Sequence, residues 1–334
     1  MPARRARLED VAGEVGLSPA TVSLVLRNIP GPSEATRQKV LDAAARLGYR
    51  PDRAASLLAR RRAHLLGVML EIGSSFHAEL AEDLLNAAED VGYDVVLSAV
   101  TPRRGESRAV ETLIDSRCEG LILLGPEASA AQLSALGRQL PLVVVGRRVA
   151  APGIDVVRSA DDEGVALAVE HLVELGHQDI AFVDGGKGTI AADRRSGFLL
   201  AMARRGLAET ARVLPGDYTE EAGIRAGRAI AADPHRPTGV ITVNDRSALG
   251  LLDSLSRARI EVPADMSVIG YDDSPAAQLA HINLTTVSQD ARRQAENAVA
   301  ASVERLDGGR TQRRQVILAP RLVVRGTTAP PPPG

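Results

Sequence analysis

Side chains that can hold a polar ligand follow the ends of short apolar runs along this 334-residue chain. Ser74, Ser75 and Phe76 come after the run 65–70, and Arg147 comes after 141–145. Asn244 and Asp245 come after 240–243, and Asp272 with Asp273 after the run that begins at 267. Catalysis is not indicated. No nucleophile has a base partner in an interpretable motif, and the six histidines are scattered without metal-ligand spacing. The stretch Asp184-Gly-Gly-Lys187-Gly-Thr189 hints at a phosphate loop, but its spacing matches neither a Walker motif nor G-x-G-x-x-G. A second chemistry lies at the N-terminus. Residues 1–62 hold 12 Arg or Lys against 6 Asp or Glu, while the remainder holds 28 against 36. Such segregation is expected where one end of a chain meets phosphate and the other does not.

The elements that must carry these groups are legible from period and punctuation. Leu8, Val11, Ala12 and Val15 lie on one face of a short helix that Gly16 stops. Ser18 is a good N-cap and Pro19 suits a first helical position, so a second helix with Val22, Val25 and Leu26 on its buried face starts at once. So tight a turn is the geometry that lets a second helix enter the DNA major groove while the first lies across the phosphates. Ser33 caps a third helix whose stripe is Val40, Leu41, Ala44, Ala45 and Leu47, with Gly48 and Pro51 ending it. Residues 51–64 contain good helix formers but little apolar area, and should be ordered only with help. From 65 onward, β-rich runs (65–70, 94–100, 120–124, 141–145, 180–183, 240–243, 267–270) alternate with helical periods. That alternation means parallel sheets covered on both faces, and two such sheets fit the length. Ligands in such folds bind beyond the carboxyl ends of the strands, where the polar groups above fall.

Composition sets bounds. With 45% hydrophobic and 25% charged residues the chain is of ordinary soluble composition, and no apolar run approaches a membrane span. The N-terminus carries no apolar signal-like region, so a cytoplasmic protein is expected. Cys118 is the only cysteine, which excludes an internal disulfide. Aromatics are scarce: three Phe, four Tyr and no Trp. The tail 329–334, four of whose six residues are proline, is expected to be disordered.

Several stretches together resemble the LacI/GalR family of bacterial transcriptional repressors, from about Leu8 to Thr328. They are Leu8-Glu-Asp-Val-Ala, Ser18-Pro-Ala-Thr-Val-Ser23, Leu47-Gly-Tyr-Arg-Pro51, Val169-Glu-His-Leu-Val-Glu-Leu-Gly-His177, Asn244-Asp245, Ser267-Val-Ile-Gly-Tyr-Asp-Asp273, Leu284-Thr-Thr-Val287 and Leu322-Val-Val-Arg325. The resemblance implies an all-α helix-turn-helix headpiece (1–50), a hinge helix (51–63) and an α/β core (64–328). In that core two doubly wound parallel-sheet subdomains, like those of periplasmic binding proteins, are joined by three crossovers. The first would comprise about 64–161 plus 291–320 and the second about 162–290 plus 321–328. It also implies a homodimer on a pseudo-palindromic double-stranded operator, no membrane partner, no metal and no cofactor apart from a small-molecule effector.

By the same resemblance, Pro19, Ala20 and Leu24 form the exposed face of the recognition helix, and Thr21 and Ser23 donate to phosphates. Many family members place Arg where this chain has Leu24. Leucine cannot contact guanine O6 and N7, but it can pack on a thymine methyl, and Arg27 one turn on reaches a base edge or a phosphate instead. In the hinge, Leu58 matches a leucine that wedges into the minor groove, flanked by Arg53 and Ala55. The effector contacts implied are Phe76, Arg147, Arg194, Tyr218, Asn244, Asp272 and Gln289, a set suited to a polyhydroxylated molecule. His77 is either a cleft donor or a surface residue. The expected function is that of a repressor, not an enzyme, whose operator binding is controlled by a small molecule, a sugar before a purine. A sugar-binding protein without a DNA role is a remote alternative.

Overall fold

The computed structural model describes residues 6–26, 29–49 and 62–333. The chain divides into two compact units, Met1–Ala63 and His64–Gly334. Arg27, Arg53, Ala55 and Leu58 lie outside the described residues.

In the first unit, α1 (Leu8–Val15) ends where Gly16 takes the left-handed conformation at φ 70° and donates its N–H to the Ala12 carbonyl. Helix α2 (Pro19–Leu26) follows, with the Ser18 hydroxyl accepting from the Thr21 N–H at 3.1 Å. Helix α3 (Glu34–Arg46) is capped in the same way by Ser33. Val11, Val15, Val22, Val25, Val40, Ala43 and Ala44 form the core, with Tyr49 packed against it. The stripe expected on α3 is thus corrected. Ala43 replaces Leu41, because the buried face follows the i, i+3, i+4 spacing from Val40, and Leu41, Ala45 and Leu47 face solvent.

The second unit holds two six-stranded sheets. The first comprises β1 (Leu65–Glu71), β2 (Asp94–Val100), β3 (Gly120–Leu124), β4 (Leu142–Val145), β5 (Asp155–Ser159) and β11 (Gln315–Leu318), in the order 11-5-4-3-1-2. The second comprises β6 (Ile180–Val183), β7 (Ala211–Leu214), β8 (Gly239–Thr242), β9 (Ser267–Asp272), β10 (Thr285–Ser288) and β12 (Arg321–Val323), in the order 12-10-9-8-6-7. All pairings are parallel except that of β12 with β10. The chain passes between sheets after β5, β10 and β11. Helices α4 (Ser75–Asp90), α5 (Glu106–Asp115), α6 (Ala130–Gly137) and α11 (Ala291–Leu306) cover the first sheet. Helices α7 (Asp161–Glu174), α8 (Thr189–Arg204), α9 (Glu220–Ala232) and α10 (Asp245–Arg257) cover the second.

Each sheet is buried on both faces, which is why most strands read as continuous apolar runs. Strand β5 is the exception. Its Asp155 is fully buried and accepts from Arg305, Arg310 and the Arg314 N–H. The tail is also corrected at its start. The Ala329 N–H donates to the Ser267 hydroxyl at 3.1 Å, and the Ala329 carbonyl accepts from buried His177 Nε2 at 2.9 Å, so this end is pinned to β9.

Candidate functional site

The carboxyl ends of both sheets face a cleft of about 910 Å³ within the second unit, a size typical of small-molecule sites. All seven expected effector residues line it: Phe76, Arg147, Arg194, Tyr218, Asn244, Asp272 and Gln289. They come from seven separate places in the chain: Asp272 ends strand β9, Arg194 lies in the second turn of α8, and the others stand in loops or a first helical turn beyond strand ends.

Arg194 is the electrostatic centre. It is 3% exposed, donates from Nε to Asp161 at 2.8 Å and from Nη1 to the Val243 carbonyl, and lies 3.7 Å from the Tyr271 ring centroid. Asp272 lies 4.0 Å from the same guanidinium and accepts from Gln289 Nε2 at 2.6 Å. Its φ is 121°, a strained angle for a side-chain-bearing residue, and the residue lines the cleft. Burial drives the Asp272 carboxyl well above the usual range, against the pull of Arg194. Arg194 thus faces two buried carboxyls, Asp161 and Asp272, and buried Arg158 also acts on Asp161.

Asn244 caps α10, accepting from the Ser247 N–H at 3.0 Å while its amide donates to the Tyr218 carbonyl at 3.2 Å. Burial pushes the Tyr218 phenol up to about 12, so it is a neutral donor and acceptor at physiological pH. Arg147 donates to the carbonyls of Pro126 and Ala128. Phe76, on the first turn of α4, is buried in the same core cluster as Leu80 and Leu124. Neither Asp272 nor Asp273 caps the turn at Ser274. The Ser274 N–H donates to Asp245 at 2.7 Å, and Asp273 pairs with Arg325 and Arg321.

Sequence reasoning missed three further features of this unit, of which Arg246 lines the cleft. Arg246 pairs with Glu220 in the second subdomain and donates to the Gly73 carbonyl of the first. Arg148 likewise bridges to Asp162 and Asp193 at 2.9 Å each. No sequence spacing marks these contacts, because their partners stand on separate elements that only the fold brings together. The third is Glu79 on α4, whose carboxyl burial and the charges of Asp245, Asp273, Asp83 and Glu82 push up to about 7.

Glu79 has a consequence for pH. Its unfolded value is about 4.3, so between that and about 7 the folded state binds more protons than the unfolded. Stability therefore falls as pH rises through this window. Glu79→Gln should raise the Tm by about 2–4 °C at pH 8, with partial exposure and screening limiting the gain to roughly 1 kcal/mol. The gain should vanish near pH 4. Paired thermal scans at the two pH values check this, and an equal gain at both would show that charge is not its cause.

In the first unit, Pro19 and Ala20 are exposed and Thr21, Ser23 and Leu24 half-buried, so these residues share the solvent side of α2. The Thr21 hydroxyl is already within 2.9 Å of the Ser18 hydroxyl. Among the described residues, no cluster suits a metal ion and no helix is long and apolar enough to cross a membrane.

The chain matches the model of bacterial regulatory proteins of the lacI family over residues 7–52, and a periplasmic binding protein-like domain over 169–328. It is 31% identical to the ribose operon repressor of Escherichia coli (strain K12), over 96% of this chain and 99% of that one. The crystal structure of a LacI transcriptional regulator from a Rhodococcus species is 46% identical with a TM-score of 0.77, covering 80% of this chain and 98% of that one. The lac repressor dimer bound to operator and the anti-inducer ONPF is 29% identical with a TM-score of 0.84, over 98% of this chain and all of that one.

Proposed function

The chain belongs to the LacI family of bacterial regulatory proteins, and on that basis we propose that it is a cytoplasmic, homodimeric repressor whose grip on operator DNA is set by a sugar in the cleft. Its role is binding, not catalysis. The headpiece is 1–50, the hinge 51–63, and the core 64–328, whose subdomains exchange segments near 161, 290 and 320. Pro19, Ala20 and Leu24 face the bases, and Thr21 and Ser23 face phosphates. Arg27 and the hinge residues Arg53, Ala55 and Leu58 complete the DNA contacts. Phe76, Arg147, Arg194, Tyr218, Asn244, Asp272 and Gln289 contact the effector.

The observation that carries the sugar reading is the pair Asp272 and Gln289. Both are buried at the cleft floor, and they meet at 2.6 Å; among the described residues this leaves the second Asp272 carboxyl oxygen and the Gln289 carboxamide oxygen for ligand hydroxyls. Tyr218 adds an aromatic face beside them. The Arg194 guanidinium is already taken up by Asp161 and faces Asp272, which suits a neutral, hydroxyl-rich molecule better than an anion. Effector binding shifts the balance between two arrangements of the subdomains and so alters whether the hinge supports DNA binding.

The test joins the two sites. A thermal-shift screen of the full chain against mono- and oligosaccharides and nucleobases is followed by selection of bound DNA from a random pool, with and without the hit. The expected result is a sugar that raises the Tm, changes occupancy of the selected DNA, and loses both effects in Asp272→Ala. Stabilisation by nucleobases alone would overturn the sugar reading, and failure to select any DNA sequence would overturn the operator reading.

A further inference from the structure

His77 sits on the first turn of α4, with its N–H held by the Ser74 hydroxyl at 3.2 Å. The Glu71 N–H donates to its Nδ1 at 3.1 Å. An imidazole nitrogen that accepts an N–H carries no proton of its own, so the ring proton of the neutral form is on Nε2. The ring stays neutral. Burial holds its pKa down at about 4, and the positive end of the α4 dipole disfavours a cation at the same place.

The Nε2 edge points toward the backbone of Gly125, where β3 leaves the sheet and the cleft begins. A Cβ on Gly125 would stand 3.3 Å from Nε2 and 3.7 Å from Ile190 Cδ1. Gly125 adopts φ 53°, and its N–H is used by the Val145 carbonyl at 2.9 Å. Glycine thus keeps this edge of the ring uncovered. Among the described residues no group accepts from Nε2, while His77 and Gly125 both line the cleft.

We propose that His77 is a fixed hydrogen-bond donor to the effector, presenting Nε2–H into the cleft and requiring a hydroxyl oxygen, ring oxygen or ring nitrogen of the ligand at that place. A donor-only group, such as the ammonium of an amino sugar, is rejected there because the ring has no lone pair to offer it. The inference rests on the cleft being the effector site, and not on the effector being a sugar.

The test uses the full chain labelled with 15N-histidine. Long-range proton–nitrogen spectra at pH 7 should show His77 as the Nε2–H tautomer. D-ribose, cellobiose and hypoxanthine are then added separately, and the ligand that binds should shift the His77 Nε2 resonance. His77→Phe should weaken that ligand about threefold to tenfold, the loss of one neutral hydrogen bond. His77→Gln, whose amide nitrogen takes the place of Nε2, should stay within about twofold on the same reasoning. Gly125→Ala should reproduce the loss by covering Nε2 with the imidazole intact. An Nδ1–H tautomer, a ligand bound equally by His77→Phe, or no shift of His77 with any of the three would each overturn the proposal. If hypoxanthine binds and the sugars do not, the sugar reading fails, while the variants measured with hypoxanthine still decide the role of His77.

Discussion

Arg194→Ala should lower the stability of the core by about 3–5 kcal/mol, the range for removing one partner of a buried ion pair. The guanidinium is 3% exposed and holds Asp161, which is 2% exposed, at 2.8 Å. It also faces Asp272 at 4.0 Å. Without it, two buried carboxyls remain with no cation between them, and the Val243 carbonyl loses its donor. Burial already drives the Asp161 carboxyl above its ordinary range with Arg194 present. In the variant the pull of Arg194 is gone and both carboxyls rise further, so the folded variant holds more protons than the folded wild type. Its deficit against the wild type should therefore narrow as pH falls toward the ordinary carboxylate range. At roughly 2–4 °C per kcal/mol, the Tm should fall by about 6–20 °C at pH 7.5 and by clearly less at pH 5. Scanning calorimetry at both values decides it, and a loss under about 1 kcal/mol would mean the pair is not buried as described. One consequence concerns ligand binding: a loss in Arg194→Ala would mix a missing contact with a loosened floor. Asp272→Ala and Gln289→Ala are cleaner probes, because the Arg194–Asp161 pair survives in both.

Much of this was legible in the chain, for identifiable reasons. The cleft residues stand just beyond strands or at helix starts, positions that the parallel-sheet rule marks for ligands, and family motifs fixed which of them to name. What stayed hidden depends on partners distant in sequence. Strand β5 reads as polar because Asp155 and Arg158 interrupt it, and only Arg305 and Arg310, about 150 residues on, make the buried Asp155 tolerable. Helix α9 is hard to pick out in the sequence because Gly223 and Gly227 weaken its helical pattern, yet those glycines are what lets it dock. Asp161 looks like any acidic residue in a first helical turn until α8 brings Arg194 over it. The donor state of His77 is set by a backbone N–H, for which sequence carries no sign.

The docking of α9 on α10 gives the other large effect. A Cβ on Gly250 would stand 1.9 Å from the Glu220 carbonyl oxygen and 2.7 Å from its carbon. Reciprocally, a Cβ on Gly223 would stand 1.9 Å from the Ser247 carbonyl oxygen. All of these neighbours are backbone atoms of a helix end, so no side chain can swing away, and the two helices must part. Overpacking a core costs about 1–3 kcal/mol where side chains can adjust; with rigid backbone on the other side, Gly250→Ala should cost roughly 3 kcal/mol or more. Parting the helices also opens the packing of Ala226 and Ile230 against Leu251 and Leu255. It strains the Glu220–Arg246 pair and the Asn244–Tyr218 bond at 3.2 Å, because α9 begins just after Tyr218 and α10 just after Asn244. Stability and effector affinity should therefore fall together, although Gly250 does not line the cleft. Gly13→Ala is the contrast. Gly13 lies inside α1 with no atom within 4 Å of its would-be Cβ, so that change should stabilise by about 0.4–1 kcal/mol through the unfolded chain. Urea unfolding of both variants separates the two cases. If Gly250→Ala stayed within about 1 kcal/mol of the wild type, backbone contact between α9 and α10 could not be what positions Tyr218.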